Sequence, residues 1–448
     1  RIVDPYLQDL LLLNLFEKAI FENAQADENK TISCVFSFSG NELYNVGMIS
    51  DSLLQISTSI PGTLMDVSNN ILVGVTNLRK SPNTDYSNIF DLSLSSHLYF
   101  GSNTMSNTWG KSITDLRLVK IGEGSSDQSD VLIFNNTFEQ NYFISFIDAA
   151  ICSTLLLNIS ENKIKNCKFQ GSPAVHLDFK LGASHVLFLQ NSFETNIVFT
   201  YGLKQAGLIV FEAQESALVS VIFEENSIIK NSFASNGINP LSLAYKNSLF
   251  YFMNLNSRVT VKNSTFLLNT ADPNIYFVVI FSPVVMIDSL NMTSQGSTLD
   301  VSVKRPGATA YISTQNLTVM NSVFKSNAAQ IGAGFVLDSF FTSSIMSYLS
   351  AYQSEKTENS IDYLYLSVRN STFKHNTVST GGVIHIAYMS SIPLIGEISG
   401  CRFDVDLALT DPTIYMSSIT VARLLLSDNE YNCSSTSPPQ VLTGRLLY

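Results

Sequence analysis

One short pattern, Asn-x-x-Phe-x-x-Asn, recurs along this chain, and a unit that returns every few tens of residues constrains the fold more than any composition figure. It reads Asn135-Asn-Thr-Phe138-Glu-Gln-Asn141, Asn263-Ser-Thr-Phe266-Leu-Leu-Asn269, Asn321-Ser-Val-Phe324-Lys-Ser-Asn327 and Asn370-Ser-Thr-Phe373-Lys-His-Asn376. Partial copies join Asn166 to Phe169, Phe193 to Asn196, Phe233 to Asn236, Gly400 to Phe403 and Asp428 to Tyr431. Asn291 keeps the phase without its aromatic. The aromatic positions are unevenly spaced, so a constant signature is joined by connections of variable length, which solenoids accommodate on their outsides.

Upstream of each full copy the residues alternate: Val131 and Ile133, Val259 and Val261, Leu317 and Val319, Leu366 and Val368. Period-two alternation means a half-buried strand. The predicted fold is all-β, a right-handed parallel β-helix over residues 26–448 as a single domain, with its clearest repeats at 131–434. Residues 1–25 are expected to form a helical cap or a junction, because Asp4-Pro5 supplies a start signal and Leu7, Leu10, Leu11, Phe16, Ala19 and Ile20 an apolar face. Stacked coils superpose equivalent residues, so Phe138, Phe266, Phe324 and Phe373 should fill a core column. By strand parity with the inward Val and Ile residues, Asn135, Asn263, Asn321 and Asn370 are expected inside the wall as an amide ladder.

Two copies run on into small residues, Ile331-Gly332-Ala333-Gly334-Phe335 and Gly381-Gly382-Val383-Ile384. Phe-x-x-Asn followed by such a run resembles the repeat of chlamydial polymorphic membrane proteins, and related repeats of protist surface proteins, from about Asn135 to Tyr431. The resemblance implies a pectin-lyase-like β-helix and an extracellular or cell-surface setting; it says little of activity.

Charge narrows the partners. Only 14 % of residues are Asp, Glu, Lys or Arg, against roughly 25 % in ordinary soluble domains. The net charge of −11 argues against nucleic acid, whose phosphates need a basic face. No apolar run is long enough for a transmembrane helix, and the chain opens at Arg1 as a processed or excised piece would. Five cysteines leave two readings open: disulfides among Cys152, Cys167, Cys401 and Cys433 with Cys34 left over, or small buried thiols. Eight Asn-x-Ser/Thr sequons occur. Asn29, Asn158, Asn291, Asn316 and Asn432 are the candidate glycan acceptors, and Asn135, Asn263 and Asn370 are set aside as inward.

Polysaccharide lyases and hydrolases use this fold with clustered carboxylates. The candidates are Asp404 with Asp406, two apart and so on one strand face, and Asp127 with Asp130 in a Ser-rich loop. His97, His176, His185, His375 and His385 are scattered and make no metal spacing. No catalytic, cofactor or metal residue is therefore assigned, and the expected function is a non-enzymatic extracellular structural or adhesive β-solenoid, part of a larger surface or filament-forming glycoprotein. Its partners would be further copies or other surface proteins. The alternatives are a carbohydrate-active enzyme or a glycan-binding module.

Overall fold

The computed structural model describes most of residues 34–432 together with 442–443; residues 1–33 and the longer connections, such as 237–247, 298–307 and 339–362, lie outside the described residues. The helical segment expected at 1–25 falls there. Every described element is a β-strand, and every described pairing is parallel. This is a parallel β-helix. Contacts gather into two compact units, residues 1–221 with 226–238, and residues 222–225 with 239–448.

One coil of the first unit shows the design. A long strand, Ser129–Phe134, turns at Asn135 into a three-residue strand, Thr137–Glu139, which turns at Gln140 into Tyr142–Phe143, and a return strand Ser145–Ile151 closes the circuit. Each strand pairs with its counterpart one coil on, so four parallel sheets wrap one core. The second unit repeats the plan: its long strands run Arg258–Lys262, Val284–Asp288, Asn316–Met320, Leu364–Arg369, Leu394–Ser399 and Val421–Ser427.

The corners explain the sequence motif and correct one expectation. Asn135, Asn263, Asn321 and Asn370 have φ of 51°, 47°, 52° and 48°, and all four are exposed. Asparagine tolerates this left-handed conformation better than most residues. Gly400 occupies the same corner one coil after Asn370, at φ 61°. A left-handed residue breaks the in–out alternation, so inward orientation passes from the leading Asn to the residue after it. Asn136, Ser264, Ser322 and Ser371 are the buried ones. The last motif residues, Asn141, Asn269, Asn327 and Asn376, follow the second left-handed corner and are buried as well.

Two ladders result. In the first unit Asn41, Asn70, Asn103, Asn136, Asn162, Asn191 and Asn226 stack, each Nδ2 donating to the next Oδ1 at 2.8–3.1 Å. The same Nδ2 groups from Asn70 onward also donate to a main-chain carbonyl of the coil before, as Asn136 does to Phe100 at 3.0 Å. The main-chain N–H of each residue from Asn41 to Asn191 donates to the next Oδ1 as well. Along the middle of the ladder every amide hydrogen and both Oδ1 lone pairs are used. The second ladder includes Asn141, Cys167, Asn196 and Asn231 in the first unit, and Asn269, Gln295, Asn327, Asn376 and Asp406 in the second. Between the ladders lie the aromatic columns. Phe324, Phe373, Phe403 and Tyr431 stack at 5.0–5.1 Å with planes within 8° of parallel.

Cys167 and Cys401 are free, buried thiols that stand in ladder positions, which corrects the disulfide reading for these two. Burial pushes the Cys167 thiol up to about 11. Cys152 and Cys433 lie outside the described residues.

Two substitutions at neighbouring positions separate corner from ladder. Asn135→Gly should change unfolding stability by less than about 1 kcal/mol, since glycine also accepts positive φ. Asn136→Ala leaves buried partners unpaired and should cost about 1–3 kcal/mol in urea unfolding. Asp406 gives a pH test. Burial, partly offset by hydrogen bonds from Asn376, raises its carboxyl from 3.8 to about 7. A raised carboxyl favours the fold while protonated, so this contribution is full below 3.8 and is lost as pH rises through about 7. Asp406→Asn should therefore stabilise the second unit at pH 8, by about 1–3 kcal/mol, and far less at pH 4.

Candidate functional site

With the interior given to ladders and aromatic columns, chemistry is left to the outward residues of each strand. Parallel strands stack about 4.8 Å apart, so outward side chains in register meet across coils. On the return sheet of the first unit, Asp148 pairs in register with His176, and Asp178 with Glu212. His176 Nδ1 lies 2.9 Å from Asp148 Oδ1, and its Nε2 lies 3.6 Å from Glu212 Oε2. Lys180 pairs with Asp178 beside them. Three carboxylates, an imidazole and an ammonium thus occupy one outer face.

Burial works against charge on the His176 ring, but the hydrogen bond to Asp148, the ion pair with Glu212 and their negative charges outweigh it and raise the ring from 6.5 to about 9. At neutral pH it is an imidazolium held by both nitrogens. Such a group can donate a proton or hold an anionic oxygen. Among the described residues no group of three or more His, Cys, Asp or Glu side chains is placed to hold a metal ion.

A second feature lies on the long-strand sheet of the second unit. A groove of about 390 Å3 crosses neighbouring coils, lined by Asn316, Tyr365, Arg369, Glu397, Arg423 and Leu425 among others. Arg369 donates to Glu397 at 2.6 Å, and Ser399 Oγ to its other oxygen at 2.8 Å. These two bonds, with Arg423 nearby, hold the Glu397 carboxyl below the usual range. Two guanidiniums against one carboxylate make the groove locally positive on an acidic chain.

The carboxylates singled out from sequence do not converge. Asp404 is buried and tied to Lys374 at 2.9 Å and Arg402 at 3.7 Å, and the hydrogen bond from Lys374 leads in lowering its pKa. Asp406 belongs to the ladder. Asp130 contacts His97 at 3.4 Å, and Asp127 lies outside the described residues. His185 and His375 are exposed, and His385 is buried against Tyr415. Among sequon asparagines, Asn135, Asn263, Asn291, Asn316, Asn370 and Asn432 are exposed and Asn158 is half-buried; Asn29 lies outside the described residues. Asn135, Asn263 and Asn370, set aside as inward, thus join the outward group. The His176 cluster escaped the sequence because its members are 28 and 36 residues apart, spacings set by connections that carry no pattern. Its one local signal is the charged outward phase of Val175-His-Leu-Asp-Phe179.

No protein-family model matches the chain, and no curated protein does. The resemblance to chlamydial polymorphic membrane proteins and protist surface proteins gains no support. Among solved structures the chain is similar to the A-module of mannuronan C-5 epimerase AlgE6 from Azotobacter vinelandii, with 9 % identity, coverage of 90 % of this chain and 92 % of that one, and a TM-score of 0.34. The expectation of a non-enzyme is corrected here, because a solved structure that the chain matches is an enzyme module. A likeness this distant assigns no activity. Among the described residues no helix is long and apolar enough to cross a membrane.

The charge state of His176 is measurable. Its contribution to stability is complete below 6.5 and lost as pH rises through about 9, because the fold binds the imidazolium and the unfolded chain does not. Wild type should exceed His176→Asn by about 1–3 kcal/mol at pH 6, and the gap should close by pH 10.

Proposed function

We propose that this chain is a segment of an extracellular structural or adhesive protein, a cell-surface or filament-forming glycoprotein whose β-helical units present sugar-bearing outer faces. The carrying observation is the placement of the sequons. Of the seven whose asparagines are described, six have that asparagine exposed. The sparse charge fits the same reading: Ser, Thr, Asn and attached sugar would supply the polar surface. Self-association or binding to other surface proteins would use the outer faces, several of whose residues are apolar and exposed, such as Val35, Leu156, Leu181 and Leu218.

Glycopeptide mapping of the secreted protein, with electron microscopy of the material from its source, tests this. Sugar on most of the six exposed sites, in ordered assemblies, is the expected result. Bare sequons on dispersed single molecules would end the reading.

A second reading has one observation in its favour: Asp148, His176, Asp178 and Glu212 share an outer face, as acid–base chemistry on a polysaccharide requires. Incubation with a panel of polysaccharides, including polyuronates, should then give cleavage or epimerisation that falls at least about 100-fold in His176→Asn. Unchanged polysaccharides throughout the panel, with folded wild-type protein, would remove it.

A further inference from the structure

We infer that the groove on the second unit is the seat of the chain's own N-linked glycan, carried by Asn316. The inference rests on the glycoprotein reading above and adds which sugar is ordered and what orders it. The sequon Asn316-Leu317-Thr318 lies within the strand Asn316–Met320, with Asn316 exposed and Leu317 and Val319 buried in the core. In register with Asn316 come Tyr365, then Ile395, then Arg423, each one strand further across the sheet. A pyranose ring linked to Asn316 Nδ2 therefore starts at one end of the groove, and the first side chain beside it is Tyr365, which is 46 % exposed.

The lining suits that occupant. Sugars pack a C–H face on an aromatic ring and turn hydroxyls to charged or amide groups at the margins. Tyr365 and Leu425 give the apolar surface; the Arg369–Glu397 pair and Arg423 stand at the margin. A groove of about 390 Å3 falls in the range of small-ligand sites, about 300–1,000 Å3. Other exposed sequons offer less. Asn135, Asn263 and Asn370 sit on left-handed corners, and Asn291 Oδ1 is taken by the Thr293 hydroxyl at 2.7 Å. Among the described residues the Asn316 side chain makes no hydrogen bond that would hold it down.

The test uses the folded protein from a secreting host. Peptide N-glycosidase is added under native conditions, and release at each site is followed by the mass of the proteolytic peptides. Release at Asn316 should be about tenfold slower than at Asn291, a protection worth about 1.4 kcal/mol. Tyr365→Ala should abolish most of that difference, and Arg423→Ala part of it, while the Asn291 rate and the unfolding midpoint hold. Equal rates at the two sites, or a slow Asn316 rate that Tyr365→Ala leaves alone, would overturn the inference. A bare Asn316 beside occupied Asn291 and Asn370 overturns it too, yet leaves the glycoprotein reading standing. Bare sequons everywhere overturn both.

Discussion

The side-chain amide of a buried asparagine is the constraint on which the first unit depends. Each such amide must find two acceptors and two donors or carry an unpaired group in the interior. Asn103 meets the demand entirely with the coils before and after it: Nδ2 reaches Val67 O and Asn136 Oδ1, and Oδ1 accepts from the N–H and Nδ2 of Asn70. The bond set closes only when successive corners are superposed. The ladder therefore fixes strand register at the corner, where a one-residue slip would strand several polar groups at once. It also frees the return connections to vary in length, because nothing in the corner geometry depends on them.

The second unit keeps amides in its second ladder but at the first corner uses other atoms. Ser322 and Ser371 accept the main-chain N–H of the preceding coil through their hydroxyls, at 3.2 Å, and bond back to carbonyls two residues earlier, whereas Cys401 offers a thiol. A hydroxyl bridges one coil step with fewer bonds than an amide. The parallel aromatic stack of Phe324, Phe373, Phe403 and Tyr431 lies in this unit, where ring-on-ring contact adds cohesion between coils.

The fold was legible because its signature is local. A left-handed corner, a ladder residue, a core aromatic and a second corner all fall within Asn135 to Asn141, so they recur as one string. What misled was phase. Parity counted from Val131 and Ile133 carries Asn135 inward, but its φ of 51° resets the count, and Asn136 takes the buried place. Asp404 and Asp406 part as well, although strand parity alone had put them on one face. Asp404 ends a strand in ion pairs, and Asp406 joins the ladder through Asn376. The outer chemistry was illegible for the opposite reason: no local string contains it. Asp148, His176 and Glu212 are brought together by register across connections of unequal length, and so are Asn316, Tyr365 and Arg423.

In a fold of this kind the functional alphabet is the column, not the segment. An interior residue sees equivalents above and below and is held to a narrow set, aromatic or aliphatic in the columns and Asn, Gln, Ser, Cys or Asp in the ladders. An outward residue answers only to water and to its neighbours one coil away, so one sheet can carry the acidic face around His176 and another the mixed aromatic and guanidinium row beside Asn316 without disturbing the ladders. Either row could be rewritten while Asn136, Asn162 and Phe373 stay unchanged. Close packing inside beside free choice outside is why the repeated motif reports the fold and leaves the outer chemistry unspoken.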